Sequence, residues 1–344
     1  MSAIKFKLSL TAKPAENAIA YPDKIMLIGS CFTENIGAKL QYHLFETVQN
    51  PHGILFNPVS VQNALMDYIQ GKIYTKEDLF FLNDVWNSWH HHSRFSGITQ
   101  EEALQKINDS ISEAHDFLKK ANHLVITLGS AWLYTLNEQA GNNQGMVVAN
   151  NHKAPANWFA KKLLTPAELL LRLKDVQKAL KAFNPHLNII YTISPVRHLR
   201  EGLVENNRSK AVLIQTVHDL VETEPGCTYF PAYEYIIDDL RDYRFYAEDL
   251  VHPNYLATQY VWERLVETYM NAATQALMKQ VVEIQLAINH KPFFEGASEH
   301  QKFLSSCLEK TQQLAVQFPH LPLEKHLQFF KSHYQNICIA KVIF

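Results

Sequence analysis

Three short apolar runs fix what this chain can fold into. They occupy residues 24–29, 124–129 and 187–193, and they stop at Gly29, at Gly129 and before Ser194-Pro195. A fourth, shorter run at 228–230 stops at Pro231. None shows strict apolar–polar alternation, so the strands they form are covered on both faces. Between them lie segments with apolar residues at helical spacing: 33–42, 59–70, 99–121, 165–182, 206–222 and 256–276, the last extending toward 287. Strands alternating with helices predict a mostly parallel sheet with helices on both faces. With the stretch 43–48 as a further strand, the sheet has about five strands. Such a sheet binds ligands beyond the carboxyl ends of its strands. The segments to inspect are Gly29-Ser30-Cys31, the loop 50–57, Gly129-Ser130, the segment 194–198 and the loop before the last long helix.

A length of 344 residues allows one large domain or two modest ones. The alternation predicts an α/β domain over 1–285. The remainder, 286–344, turns to Gln, Lys, His and Phe and reads as a helical appendage. Lys and Arg number 32 and Asp and Glu 34, a formal charge of −2. That balance excludes the electrostatic footprint of a nucleic-acid or anionic-membrane binder. No apolar run reaches the length of a membrane span, and the first residues show no leader pattern. The four cysteines, Cys31, Cys227, Cys307 and Cys338, are far apart and form no CxxC pair. Reduced thiols in a cytoplasmic protein are the simplest expectation.

Two segments carry residue types suited to acyl chemistry. Gly29-Ser30-Cys31-Phe32 ends a strand and opens a helix, and a helix N-terminus favours a thiolate or a developing oxyanion. A buried thiol preceded by a serine cap accounts for the same residues. Asp249-Leu250-Val251-His252-Pro253 stands directly before the last long helix. A carboxylate three residues before a histidine can orient the ring and stabilise the imidazolium, and the plain alternative is a pair that caps the helix. Arg197 and His198 follow the third strand. Their donors suit a carboxylate, a phosphate or sugar oxygens, and a structural ion pair suits them equally. His152-Lys153 follows a polar loop and fits a site rim or a solvated turn. His90, His91 and His92 are adjacent and cannot all face one way, so no metal site is expected there. Trp89 and Trp132 suit sugar stacking or core packing.

The two segments in this order resemble the SGNH, or GDSL-like, hydrolase superfamily. More closely, Gly29-Ser30-Cys31-Phe32-Thr33-Glu34-Asn35-Ile36-Gly37 resembles the motif that names the GSCFA-domain family, with Thr33 where the family usually has alanine. Further segments are similar to the same family: Asn50-Pro51-His52-Gly53 with Phe56-Asn57-Pro58, the run WHHHSRFS from Trp89 to Ser96, Thr127-Leu128-Gly129-Ser130-Ala131-Trp132, Asn151-His152-Lys153, and Ser194-Pro195-Val196-Arg197-His198. The resemblance covers roughly residues 20–265. It implies a three-layer α/β/α sandwich of SGNH-hydrolase or flavodoxin-like kind, followed by the helical appendage.

The resemblance also implies a hydrolase-like site with two departures from the superfamily. The superfamily reads Gly-Asp-Ser, and aligned on Gly29 the nucleophile's place is held by Cys31, with Ser30 in the aspartate's place. The expected catalytic set is Cys31, or Ser30, with His252 and Asp249. The superfamily asparagine of the third block is missing, because that block reads Gly129-Ser130-Ala131. The backbone N–H groups of Cys31 and Gly53, with the Ser130 hydroxyl, are the expected oxyanion donors. Arg197, His198, Asn57 and His152 are the expected substrate contacts. The expected activity is removal of an O-acyl group from a carbohydrate or a related small ester, with no cofactor. An O-acyltransferase using a coenzyme A thioester as co-substrate, or a non-catalytic binding module that keeps the fold, are the alternatives.

Overall fold

The computed structural model describes residues 8–340, with the side chains of 335–340 excepted. Residues 1–7, where the N-terminal reading begins, and the Cys338 side chain lie outside the described residues. The apolar runs form the strands expected of them. In chain order these are β1 (Lys24–Gly29), β2 (Glu46–Gln49), β3 (Phe80–Leu82), β4 (Val85–Asn87), β5 (His123–Leu128), β6 (Trp132–Leu136), β7 (Phe159–Leu163), β8 (Asn188–Ile193) and β9 (Cys227–Phe230). Five of them make one sheet in the order β2-β1-β5-β8-β9. The pairs β1·β5, β5·β8 and β8·β9 are parallel, with Ile28 opposite Ile126 and Ile126 opposite Tyr191. The chain order reverses at β1, so the switch-point crevice opens at the carboxyl ends of β1 and β5.

The helices before the last strand are α1 (Cys31–Tyr42), α2 (Pro58–Gln70), α3 (Gln100–Leu118), α4 (Pro166–Phe183) and α5 (Leu203–Thr223). Their starts are written in the sequence. Asn57 caps α2 by accepting from Ser60 N, with Pro58 in the first turn. Thr165 and Glu168 form a capping box on α4. Residues of α2, α3, α4 and α5 share one buried cluster with Met26 and Ile28 of β1, Leu124 and Ile126 of β5, and Ile189 and Tyr191 of β8. Ile25, Leu27 and Ile190 are equally buried but point to the other face by the two-residue period of a strand. Phe32 and Ile36 of α1 are buried outside that cluster. A short turn α6 (Ala232–Glu234) leads to α7 (Tyr255–Tyr269), whose Ala257, Val261 and Leu265 are also buried outside it. This is the predicted α/β/α sandwich.

Two small antiparallel sheets, β3·β4 and β6·β7, were not expected from the sequence. The long helix expected from 256 toward 287 is two helices, α7 and α8 (Ala272–Asn289). Asn271 ends the first register and caps the second by accepting from Thr274 N. The tail holds α9 (Ser298–Gln317) and α10 (Glu324–Ala340). By contacts the chain forms two units. Among the described residues, one comprises 8–13, 24–37 and 47–267, and the other comprises 14–23, 38–46 and 268–340. The second has its own core, which includes Leu277, Val281, Ile284, Leu304, Leu314 and Phe330. No helix among the described residues is long and apolar enough to cross a membrane.

Candidate active site

The first site segment follows from a glycine. Gly29 has φ of +136°, and a Cβ there would stand 2.0 Å from the Thr127 carbonyl oxygen. Only glycine fits this close approach. Ser30 N then donates to Thr127 O at 3.1 Å, and α1 begins at Cys31. Ser30 is 0% exposed, and its hydroxyl accepts from Phe32 N at 3.3 Å. Cys31 is partly exposed and free of any disulfide. Burial pushes its thiol up, the N–H groups of Cys31 and Phe32 oppose that, and the charges of Glu34 and Lys210 act on it with opposite signs. The helix N-terminus expected to lower the thiol does lower it, but desolvation outweighs it.

The loop 50–57 is tied to the same crevice. Asn50 Oδ1 accepts from Gly29 N at 2.9 Å, and Leu55 N donates to Gly29 O at 2.9 Å. Gly129 N and Ser130 N both donate to Phe56 O at 2.9 Å. Two of the expected oxyanion donors are engaged in this stitching. Gly53 N donates to Asn50 O at 2.7 Å. The Ser130 hydroxyl accepts from Trp132 N at 3.2 Å and shares a hydrogen bond with the Ser209 hydroxyl, also at 3.2 Å.

Asp249 and His252 form the expected pair. His252 Nδ1 lies 2.6 Å from Asp249 Oδ2, while Asp249 Oδ1 accepts from Val251 N at 2.9 Å and from His252 N at 3.0 Å. These bonds hold the Asp249 carboxyl down at about 2, the His252 backbone N–H contributing most. Both side chains are about half exposed. With a proton on Nδ1 facing the carboxylate, Nε2 is the free base. The loop is tight: Leu250 has φ of +57°, and Ala247 N donates to His252 O at 2.7 Å.

Arg197 is engaged with the loop before α7. Its N–H donates to Val251 O at 3.2 Å and its Nη1 to Leu250 O at 3.1 Å. Its guanidinium lies 4.1 Å from the Tyr246 ring centroid and 4.8 Å from that of Tyr243. It therefore clamps the loop that carries His252 to the end of β8. His198 packs edge-on to Phe56, and its Nε2 is buried without a partner beside Gly129. Burial, then the charges of Lys210 and His252, bring its ring down to about 3, so it is neutral.

A cavity of about 480 Å³ opens beside these loops. Asn57, Ser130, His152, Arg197 and His198 line it, with Trp132 and Tyr134, and Cys31, Asp249 and His252 do not. The Asn57 amide is engaged with Ser60 at both ends. His152 is buried, with Nε2 on Ser88 O at 2.9 Å. His91 is buried and stacks on His52 at 4.1 Å, and His52 contacts Asp67 Oδ2 at 3.2 Å and the Tyr68 hydroxyl at 2.8 Å. Among the described residues no group of three or more His, Cys, Asp or Glu is placed to hold a metal ion.

No hydrogen bond joins the Cys31 thiol or the Ser30 hydroxyl to His252 among the described residues. Lys210 is a buried charge near the ends of β5 and β8, with Nζ donating to Gly129 O at 2.6 Å and to Ser194 O at 2.7 Å. Lys210 was not singled out from sequence. The signal was a lysine inside the apolar stripe of α5, between Asn206 and Leu213.

Three solved structures are similar to this chain at low identity. An acetyl esterase mutant holding an acetate ion is 10% identical, with a TM-score of 0.34, covering 75% of this chain and 99% of that one. A carbohydrate esterase of family 3 from Talaromyces cellulolyticus is 9% identical, with a TM-score of 0.34, covering 76% and 99%. An acetyl xylan esterase from the rumen bacterium Butyrivibrio proteoclasticus is 10% identical, with a TM-score of 0.36, covering 73% and 64%. What those proteins act on is a statement about them. No curated protein matches the chain. Residues 281–336 match the C-terminal domain of GSCFA domain proteins. Residues 24–265, which contain every site segment described above, match the GSCFA family itself, and the chain belongs to that family.

Proposed function

We propose that the chain is an acyl-transfer enzyme, an esterase that removes an O-acyl group from a carbohydrate or a related ester. The observation that carries this reading is the Asp249–His252 pair. Its 2.6 Å contact fixes the ring while half of the histidine stays open to solvent, on a loop clamped to the end of β8. A structural capping pair does not need an accessible ring.

In this reading the Cys31 sulfur attacks the ester carbonyl as His252 Nε2 takes the thiol proton. The oxyanion forms at the Cys31 N–H, at the start of α1. Collapse breaks the ester bond, and the alcohol leaves with the proton that His252 returns. Water, deprotonated by His252, then attacks the thioester, and the acid leaves while the thiol is restored. Asp249 orients the imidazole throughout and stabilises its charged form.

Hydrolysis of p-nitrophenyl acetate by the wild type, lost in Cys31→Ala and in His252→Ala, is the expected result. Release of free coenzyme A from acetyl-coenzyme A only when a sugar acceptor is present would move the assignment to an O-acyltransferase. Silence in both assays would leave a binding module with this fold.

A further inference from the structure

The cavity beside the strand ends is cationic in a chain that is not. The sequence as a whole carries −2. Lys153, Arg197 and Arg200 line the cavity, and Glu201 is the one carboxylate among its described lining residues. Glu201 accepts from the Tyr134 hydroxyl, and the Arg200 guanidinium lies 5.7 Å from the centroid of the same ring. Arg197 is engaged with Leu250 O. Lys153 and Arg200 are exposed and form no ion pair among the described residues. The backbone that carries Lys153 is strained. His152 and Lys153 have φ of +48° and +59°, left-handed values that residues with side chains seldom adopt. Three bonds hold this turn: His152 Nε2 donates to Ser88 O at 2.9 Å, His152 N donates to Asn150 Oδ1 at 2.9 Å, and Asn83 Nδ2 donates to His152 O at 3.2 Å. Strain of this kind persists where the surroundings over-determine it, and it clusters at ligand clamps.

We infer that this cavity is the subsite for an acidic sugar, with Lys153 and Arg200 on its carboxylate and Trp132 and Asn151 against its ring. The inference deepens the esterase reading and rests on it for the bond that is cleaved. The cavity adjoins the His252 loop through Arg197, which lines it and donates to Val251 O at 3.2 Å and to Leu250 O at 3.1 Å, the two residues before His252. Its volume of about 480 Å³ lies in the range of small-ligand sites, about 300–1,000 Å³. Aromatic faces and amides suit a pyranose ring, and two unpaired cations suit the oxygens of a carboxylate. A neutral sugar would leave those cations without a partner. Phosphate oxygens share the charge of a carboxylate, so a coenzyme A donor is the competing occupant.

The test is calorimetric binding of trigalacturonate, which needs no turnover. The wild type should bind it about tenfold or more tightly than its methyl ester, and the difference should shrink as salt rises. Lys153→Gln and Arg200→Gln should each weaken trigalacturonate by about tenfold, the low end for a charged hydrogen bond, and weaken the methyl ester much less. An unmoved affinity in both folded variants overturns the proposal. Equal affinity of the wild type for the acid and the methyl ester overturns it without any variant. Coenzyme A binding that falls in the same variants, with no binding of trigalacturonate, also overturns it and assigns the charge to a phosphate. Hydrolysis is read separately, on O-acetylated trigalacturonate and on p-nitrophenyl acetate. Charge-selective binding without hydrolysis of either ester overturns the esterase reading alone. Hydrolysis of p-nitrophenyl acetate without charge-selective binding overturns the acidic-sugar subsite alone.

Discussion

Arg197→Ala separates a clamp from a substrate contact. The wild-type guanidinium donates to Leu250 O at 3.1 Å and lies over the rings of Tyr246 and Tyr243. A hydrogen bond from a charged donor contributes about 1.5–3 kcal/mol, and partial exposure places this one at the low end. Each cation–π contact at an exposed site adds about 0.5–1 kcal/mol. The loss is therefore about 2.5–3.5 kcal/mol. For a unit of this size a change of 1 kcal/mol moves Tm by about 2–4 °C, so the expected fall is about 5–14 °C. The loop that carries His252 loosens at the same time. Esterase kinetics, measured well below Tm, should show a lower kcat with KM nearly unchanged. Arg197→Lys keeps the charge but loses the planar stack, so it should fall between the two. A wild-type Tm with a raised KM and an unchanged kcat would refute this reasoning and make Arg197 a ligand contact.

Asp249→Asn keeps an oxygen for the N–H groups of Val251 and His252 but loses the charge that faces His252 Nδ1. Hydrolysis should drop by about 10²–10⁴-fold with little change in Tm. The lowered carboxyl of Asp249 stabilises the folded loop above the ordinary carboxylate range, and this is lost as pH falls toward about 2. Lys210 works in the other direction. Its value of about 7, against 10.5 unfolded, means the unfolded chain holds the extra proton between those values. Stability should therefore rise with pH across that window, by at most about 5 kcal/mol for a shift from 10.5 to about 7. Denaturant unfolding at pH 7 and pH 9.5 should show a rise that Lys210→Gln lacks. Gly129→Ala places a Cβ 3.0 Å from His198 Nε2 and 3.1 Å from Phe56 O. It should destabilise by about 1–3 kcal/mol, read by denaturant unfolding, because the backbone oxygen cannot yield.

The sheet was legible because each central strand is a dense apolar run that ends at a glycine or a proline step. The two small sheets were not. β3 and β4 are three residues each, too short for a period to register. β6 and β7 pair across a long polar loop from Asn137 to Trp158, and a non-local pairing leaves no local signal. The break between α7 and α8 did leave one, since Met270-Asn271-Ala272 offers an N-cap inside a helical pattern. Asp249 and His252 were legible because they stand three residues apart, so one turn contains the whole interaction. The partners of Arg197 were not, because Leu250 is 53 residues away. Lys210 was overlooked for the same reason. Its partners Gly129 and Ser194 are distant in sequence and offer only backbone oxygens, which no side-chain pattern reveals.

Neighbouring Ser30 and Cys31 offered the sequence two nucleophiles, and the local backbone supports one of them. Gly29 must approach Thr127 closely, and that approach sets the direction in which the chain leaves β1. Ser30 then donates its N–H to Thr127 O and turns its hydroxyl to Phe32 N, away from solvent. For Ser30 to attack an ester, its hydroxyl would have to leave that N–H and the first turn of α1 would have to open. Cys31, one residue on, is the first helical residue and is partly exposed, and its thiol is acted on by its own N–H and that of Phe32. A thiol raised by burial reacts slowly until its proton has somewhere to go. In the proposed reading His252, whose side chain is half exposed, takes it. Ser30→Ala should then leave hydrolysis nearly intact while Cys31→Ala abolishes it, and the reverse result would return the role to the serine.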